Sequence, residues 1–430
     1  MLKNIIKDKT LIFLIVISFI NVIAYAIGGI FISIKYFTLC LNFIVLFFCK
    51  PEKSLPIVFY FHCNSALYDD IGFPYIFNFS IMIVLFKEIL LYHSQLKKST
   101  TILFIVLFIY NLCLIILNNI YSFNILLSMI SWAASYLILI MYSSSKKTDF
   151  EIIYRYFFIG FVMSCLYAIL IPLKIWGCNI PTAYRFIGLL RDPNYYSFNS
   201  LFLIFSAKTY AKSINKKPIF YIIISGGLGI LSVSKMFILL VIVGIFLYFI
   251  FNIKKFKFKP YQILLTSILI FIIFLIAYNS NFMDILISKY TYRTDTTSLF
   301  TGRDKIQPYY INDLCNNPLK LLFGQSTSYS LLSNIGDSLG DFFSNMVAHN
   351  TYLDIILSWG LLFTFVYIVF IYKIIKNSYY VGINRITNNC KVIIMIFLFG
   401  LFSLSYLQAD IFALLILFII LLNKKENEVQ

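Results

Sequence analysis

The sequence predicts an all-α fold, a polytopic membrane helical bundle of about 12–14 transmembrane helices with one long extracytoplasmic loop. Three observations predict it. Of 430 residues, 60% are hydrophobic and only 12% are charged, with a mean hydropathy of +0.87. Soluble domains carry about 25% charged residues, so this chain lacks the polar side chains to cover a water-exposed surface. The apolar residues fall in blocks of about 17 to 23, the length at which a helix crosses about 30 Å of hydrocarbon. The blocks do not alternate as the strands of a membrane barrel do, so each satisfies its backbone internally, as a helix.

Taken in order, the blocks place spans near 11–27, 30–49, 54–67, 73–92, 101–118, 120–142, 152–174, 194–212, 217–234, 236–253, 262–279, 351–373, 391–407 and 409–423. The first begins after Lys3, Lys7 and Lys9 and ends near Ala24-Tyr25-Ala26, which has the small residues of a signal-peptide cleavage site. With so many spans behind it, an uncleaved start-transfer helix is the better reading. Span 54–67 is short and holds Pro56, His62 and Asn64, features of a re-entrant segment. The whole chain, 1–430, reads as a single polytopic membrane domain with the loop 280–350 inserted between helices.

A net charge of +17 suits nucleic acid in bulk, but its distribution argues for a membrane instead. The cations cluster in alternate connections, as at Lys97/Lys98, Lys146/Lys147, Lys212/Lys216/Lys217, Lys254/Lys255/Lys257/Lys259 and Lys424/Lys425. That is the positive-inside pattern, and it puts both termini in the cytoplasm. Eight cysteines carry little chemistry. None has the C-x-x-C spacing of a metal or redox site. Cys178 and Cys315 fall on one expected side, where a disulfide and two free thiols both fit.

Lys35, Lys174, Arg185, Arg191, Lys235, Lys289, Arg293, Arg303, Lys305 and Lys320 lie against this bias, on or near the outer face. Arginine is the residue suited to a two-pronged grip on phosphate, and the arginines here fall in two loops. The first reads Arg185-Phe-Ile-Gly188-Leu-Leu-Arg191-Asp192-Pro193-Asn194 and leads into a span. Asp-Pro-Asn is a helix-start signal, and a helix N-terminus flanked by arginines suits an anion, although a plain capped turn explains the same residues. The second loop contains Gly302-Arg303-Asp304, then Asn317-Pro318 and Phe323-Gly324, and closes with His349-Asn350-Thr351-Tyr352-Leu353-Asp354. Loops of such length are usually functional. His349 is one of three histidines; His62 lies in an apolar segment and His93 at a span end.

These residues carry a resemblance. The sequence resembles the O-antigen polymerase (Wzy-type) and O-antigen ligase superfamily of bacterial membrane glycosyltransferases. Three elements bear it: Arg185-x-x-Gly188 with Pro193-Asn194; Gly302-Arg303-Asp304 near the start of the long loop; and His349-Asn350-x-Tyr352-Leu353 through Gly360 at its end. A fourth, Ser232-Val-Ser234-Lys235, has lysine where the family often has arginine, which keeps the charge but loses the fork.

The resemblance implies transfer of a glycan from undecaprenyl pyrophosphate at the outer face of the cell inner membrane, with no cofactor and no metal. The acceptor is a sugar hydroxyl of another carrier-linked unit in a polymerase, or of lipid A–core in a ligase. A chain-length regulator protein is an implied partner. His349, Arg303 and Arg191 would be catalytic, and Arg185, Asn194, Lys235, Asn350 and Tyr352 would bind substrate. The chemistry suits them: fixed cations stabilise charge growing on a leaving pyrophosphate, and a neutral histidine accepts the proton of an attacking hydroxyl. Two other readings stand beside this one. Asp69-Asp70 resembles the acidic pair of metal-dependent glycosyltransferases that use polyprenyl-phosphate sugars. A lipid-linked oligosaccharide flippase has a similar helix number and charge, but such transporters show internal repeats, and the motifs are not repeated between the halves.

Overall fold

The computed structural model describes residues 8–28, 32–92, 97–120, 122–143, 150–170, 186, 188–190, 192–252, 303–326, 328–333, 335–339, 346–379, 385–404 and 411–429. Among these residues the chain is all-helical, with no strand. The first half runs through α1 (Lys9–Ile27), α2 (Ile32–Phe48), α3 (Pro51–Cys63), α4 (Ile76–Tyr92), α5 (Lys98–Leu117), α6 (Phe123–Ser143) and α7 (Phe150–Leu170). Next come α8 (Pro193–Ser213), α9 (Ile219–Leu231) and α10 (Lys235–Asn252). The long connection contains α11 (Arg303–Asn316), α12 (Pro318–Phe323) and α13 (Ile335–Leu339), and α14 (Thr351–Tyr379), α15 (Asn388–Gly400) and α16 (Ile411–Val429) close the chain.

Among the described residues, six helices are long and apolar enough to cross a membrane, namely α1, α5, α6, α7, α10 and α14. The others fall short for visible reasons. α3 has only 13 residues, with Pro56 inside, and every residue from Ser54 to Cys63 is buried by protein. It lies so close to α7 that a side chain on Gly160 would meet the Tyr60 backbone at 2.9 Å; small residues allow such approach between membrane helices. α8 has a low apolar content because its buried face is built from Ser197, Asn199, Ser200 and Ser206 as well as aromatics. Expected span 262–279 lies outside the described residues.

Several charged groups inside the bundle have partners. Lys87 of α4 is buried and donates to the Leu46 and Cys49 carbonyls at 2.9 and 2.8 Å. A cation there complements the negative end of the α2 dipole. Lys35, one of the outlying cations, is an ion-pair partner of Asp70 and sits 4.4 Å from the Tyr25 ring centroid. That contact gives Asp70 of the Asp69-Asp70 pair a structural partner. Lys320 pairs likewise with Asp313 at 3.0 Å. At the end of the bundle where α8 finishes, Glu426 accepts from Thr209, Thr387 and Asn389, which joins α16 to α8 and α15.

α14 is broken at Gly360, whose φ of 67° and ψ of 175° lie outside helical space. The break turns two carbonyls outward, and the long connection takes them: Gln325 N–H donates to Leu357 O at 2.8 Å and Ser326 N–H to Ser358 O at 2.9 Å. Gly324 (φ 72°) faces Gly360 across this crossing. A side chain on either glycine would come within 2.3–2.6 Å of the other strand's backbone. The crossing therefore requires glycine on both sides. Tyr110 of α5 donates to Phe323 O, and Asn118 donates to Gln325 O at 3.1 Å, so residues 323–326 are seated on α5 as well. The rest of the described connection forms a second, smaller core, in which Ile306, Tyr310, Leu314, Tyr329 and Ile335 pack on Ala348 and Leu357.

Candidate functional site

Among the described residues, those singled out by sequence each lie where a helix begins. Asp192 caps α8: its carboxylate accepts from Asn194 N–H at 2.6 Å and Tyr195 N–H at 3.3 Å. Asn194 Oδ1 accepts from Ser234 Oγ at 3.0 Å, which ties the start of α8 to the start of α10, where Lys235 is the first residue. Asn350 Oδ1 accepts from Tyr352 N–H at 3.1 Å and Leu353 N–H at 3.3 Å, capping α14. Arg303 opens α11 and its Nη1 donates to Ser403 Oγ at 2.7 Å. The same turn after α15 receives Thr351 N–H at Leu401 O, 2.8 Å away.

His349 lies among them. Burial lowers its pKa below the ordinary histidine value, the Arg303 charge lowers it further, and the Asp192 carboxylate opposes that shift. Both groups are thus close enough to act on the imidazole. Its backbone is left-handed, with φ at 51°, a conformation that histidine and asparagine tolerate better than most residues. The preceding residue is anchored: Ala348 N–H donates to Tyr329 Oη at 2.8 Å, and Tyr329 donates in turn to the buried carboxylate of Asp354. Burial first, and then Asp354, push the Tyr329 hydroxyl well above its usual pKa, so it remains a donor. Asp354, on a different face of the helix start from His349, serves this anchor.

Of the expected site residues, Arg303, His349, Asn194, Lys235, Asn350 and Tyr352 fall at or near these helix starts. Arg185 and Arg191 lie outside the described residues, as do Lys174, Lys289, Arg293, His93 and Cys178. Gly188, three residues after Arg185, is described. Its φ is 55°, and a side chain on it would meet Ser164 Oγ at 2.4 Å. Leu189 beside it accepts from Ala66 N–H at 3.1 Å and donates to Ser164 Oγ at 2.6 Å. The glycine of this motif is thus a docking residue. Tyr352 donates to Leu398 O at 2.9 Å and packs on Phe402, which fastens α14 to α15.

His62 is buried and shares a 2.8 Å hydrogen bond with Asn199 of α8. Sequence reasoning missed Tyr329 and Ser403, which hold the segments carrying His349 and Arg303. Neither stands near those residues in the chain, and no spacing pointed to them. The arrangement offers a mostly buried imidazole whose pKa is lowered, an arginine whose charge reaches it, and several helix N-termini, and helix N-termini with a nearby cation suit anions. The chain matches no protein-family model and no curated protein.

Proposed function

We propose that the chain is a surface-polysaccharide polymerase of the O-antigen type. It would transfer a glycan from undecaprenyl pyrophosphate onto a sugar hydroxyl of another carrier-linked repeat unit. The observation that carries this reading is that Asp192, Arg303 and His349 stand at the starts of three helices, with both charges acting on the imidazole. Three sequence elements widely separated along the chain supply these groups, each at a helix start. A membrane enzyme acting on a lipid pyrophosphate needs such a set.

In the proposed reaction His349 accepts the proton of the attacking hydroxyl as the new glycosidic bond forms at the donor's anomeric carbon. The bond from that carbon to the pyrophosphate oxygen breaks, and the electron pair leaves with undecaprenyl pyrophosphate. Arg303 and the helix dipoles stabilise the charge left on that group. Arg191 and Arg185 belong to the same proposal by motif. The topology belongs to it too: about 12–14 spans in the cell inner membrane, with both termini cytoplasmic and the 280–350 loop outside.

Two experiments test it. Deleting the gene should leave surface core bearing a single repeat unit on gels, whereas loss of a ligase leaves bare core with polymer stranded on the carrier. With purified protein and carrier-linked repeat units, His349→Ala should cut the rate by about 10²–10⁴-fold. A variant retaining more than about a tenth of the rate rules out His349 as a base of that strength.

A further inference from the structure

The helix that carries Arg303 is bound along its length to the segment before His349. Arg303, Gln307 and Tyr310 stand four and three residues apart, so they share one face of α11. Gln307 Nε2 donates to Ala348 O at 3.4 Å, and Tyr310 Oη donates to Met346 O at 2.6 Å. Ile306 and Tyr310 are buried in the smaller core. The backbone that presents Arg303 is therefore fixed beside residues 346–348.

Its side chain is held from another part of the chain. Arg303 Nη1 donates to Ser403 Oγ at 2.7 Å. Ser403 lies in the turn after α15, where its own N–H donates to Gly400 O at 2.9 Å. The same turn binds the start of α14: Leu401 O accepts from Thr351 N–H at 2.8 Å, and Leu404 O accepts from Thr351 Oγ1. Thr351 is two residues from His349. One turn thus grips both the guanidinium and the helix start that follows the imidazole. An arginine side chain spreads over many rotamers unless bonds such as this one narrow them.

We infer that Ser403 is a positioning residue, whose hydroxyl fixes the Arg303 guanidinium relative to the start of α14 and so to His349. A hydroxyl suits the task because, unlike a carboxylate, it accepts from a cation without neutralising it. Two charges act on the imidazole: Arg303 lowers its pKa, burial being the larger cause, and Asp192 opposes the lowering. A guanidinium released from Ser403 ranges more widely, so its effect weakens and the His349 pKa rises. The inference rests on the transfer reading for its effect on rate, while the placement of the charge is measurable without it.

The test uses purified full-length protein in detergent and two readouts. The first is carbethoxylation of His349 by diethylpyrocarbonate, followed across pH by peptide mass spectrometry, since only the neutral imidazole reacts. Ser403→Ala and Ser403→Val should raise the midpoint of this reaction, in the direction given by Arg303→Gln. Ser403→Thr, shaped like valine but keeping the hydroxyl, should hold the wild-type midpoint. The second readout is transfer between carrier-linked repeat units. There Ser403→Ala should lower kcat at least about tenfold, the worth of a hydrogen bond to a charged group, with a smaller change in KM, and Ser403→Thr should restore most of the rate. A serine that only supports the fold would lower melting temperature and yield and move no midpoint. Raised midpoints with no transfer by wild type uphold the placement and refute the transfer reading. Unmoved midpoints in the alanine and valine variants, or equal midpoints in the threonine and valine variants, overturn the inference.

Discussion

Replacing Gly360 by alanine tests the broken helix most directly. The added Cβ would stand 2.3 Å from Leu322 O and 2.4 Å from Phe323 N, both backbone atoms that no rotamer change can move. The backbone itself, at φ 67° and ψ 175°, occupies a region used almost only by glycine, where another residue costs about 1–3 kcal/mol. Relieving the clash requires the crossing strand to leave, and with it go the Gln325–Leu357 and Ser326–Ser358 hydrogen bonds. Each contributes about 0.5–1.5 kcal/mol. The combined loss is about 2–6 kcal/mol, enough to detach residues 322–326 while the rest of the bundle stays folded. The assay is maleimide labelling of a Gln325→Cys reporter on a cysteine-free background, with thermal unfolding in detergent alongside. Gln325 is only 9% exposed, so the reporter should label slowly in the parent and at least about tenfold faster with Gly360→Ala. Gly324→Ala, across the same crossing, should do likewise. Unchanged labelling and melting in both variants would refute the reasoning.

Other expectations follow from the site and its surroundings. Burial and the Arg303 charge hold the His349 pKa below the ordinary 6.5, so if His349 is the base of the proposed reaction, the rate should fall only as pH drops below about 6.5. Arg303→Gln removes one cause of that depression, so the acid limb of its pH–rate profile should move upward; a limb that does not move separates the two residues. His349→Asn keeps a side chain that tolerates the left-handed backbone, so it should match wild type in membrane abundance while losing polymer, which gel analysis and immunoblotting read together. Lys35→Met leaves Asp70 without its partner and should lower stability by about 3 kcal/mol, and Lys35→Met/Asp70→Asn should recover part of it in the same unfolding assay. Cysteine introduced at exposed Lys305 should react with a membrane-impermeant reagent in intact cells, and cysteine at residue 256 should not. The reverse pattern would invert the proposed topology.

The helices were legible because lipid imposes one length on every apolar run. The expected spans near 101–118, 120–142 and 236–253 correspond to α5, α6 and α10 with shifts of a few residues at their ends. Less of the site was legible. Asp192-Pro193-Asn194 announces a helix start, and the structure has one there, because capping is a local interaction. Asn350 looked like a substrate ligand and caps α14 with its Oδ1. Tyr352 spends its hydroxyl on α15. Gly188 and Gly360 stood out as motif members, yet the reason for each lies in a partner far along the chain: Ser164 for one and Leu322 for the other. The same holds for Lys35, an exception to the charge rule until Asp70 is placed beside it. Pattern reveals what a residue does for its own turn; contacts across the fold decide the rest.

The crossing of residues 322–326 over α14 also constrains the order of assembly. Residues 322–326 are synthesised before Leu357 and Ser358, yet their N–H groups bond those carbonyls only once α14 is in place. A helix entering the bilayer with a break at Gly360 carries two carbonyls that lipid cannot satisfy. The earlier segment must therefore fold back onto a helix made after it. Its docking can follow but not precede the synthesis of α14, and the paired glycines keep a place for it.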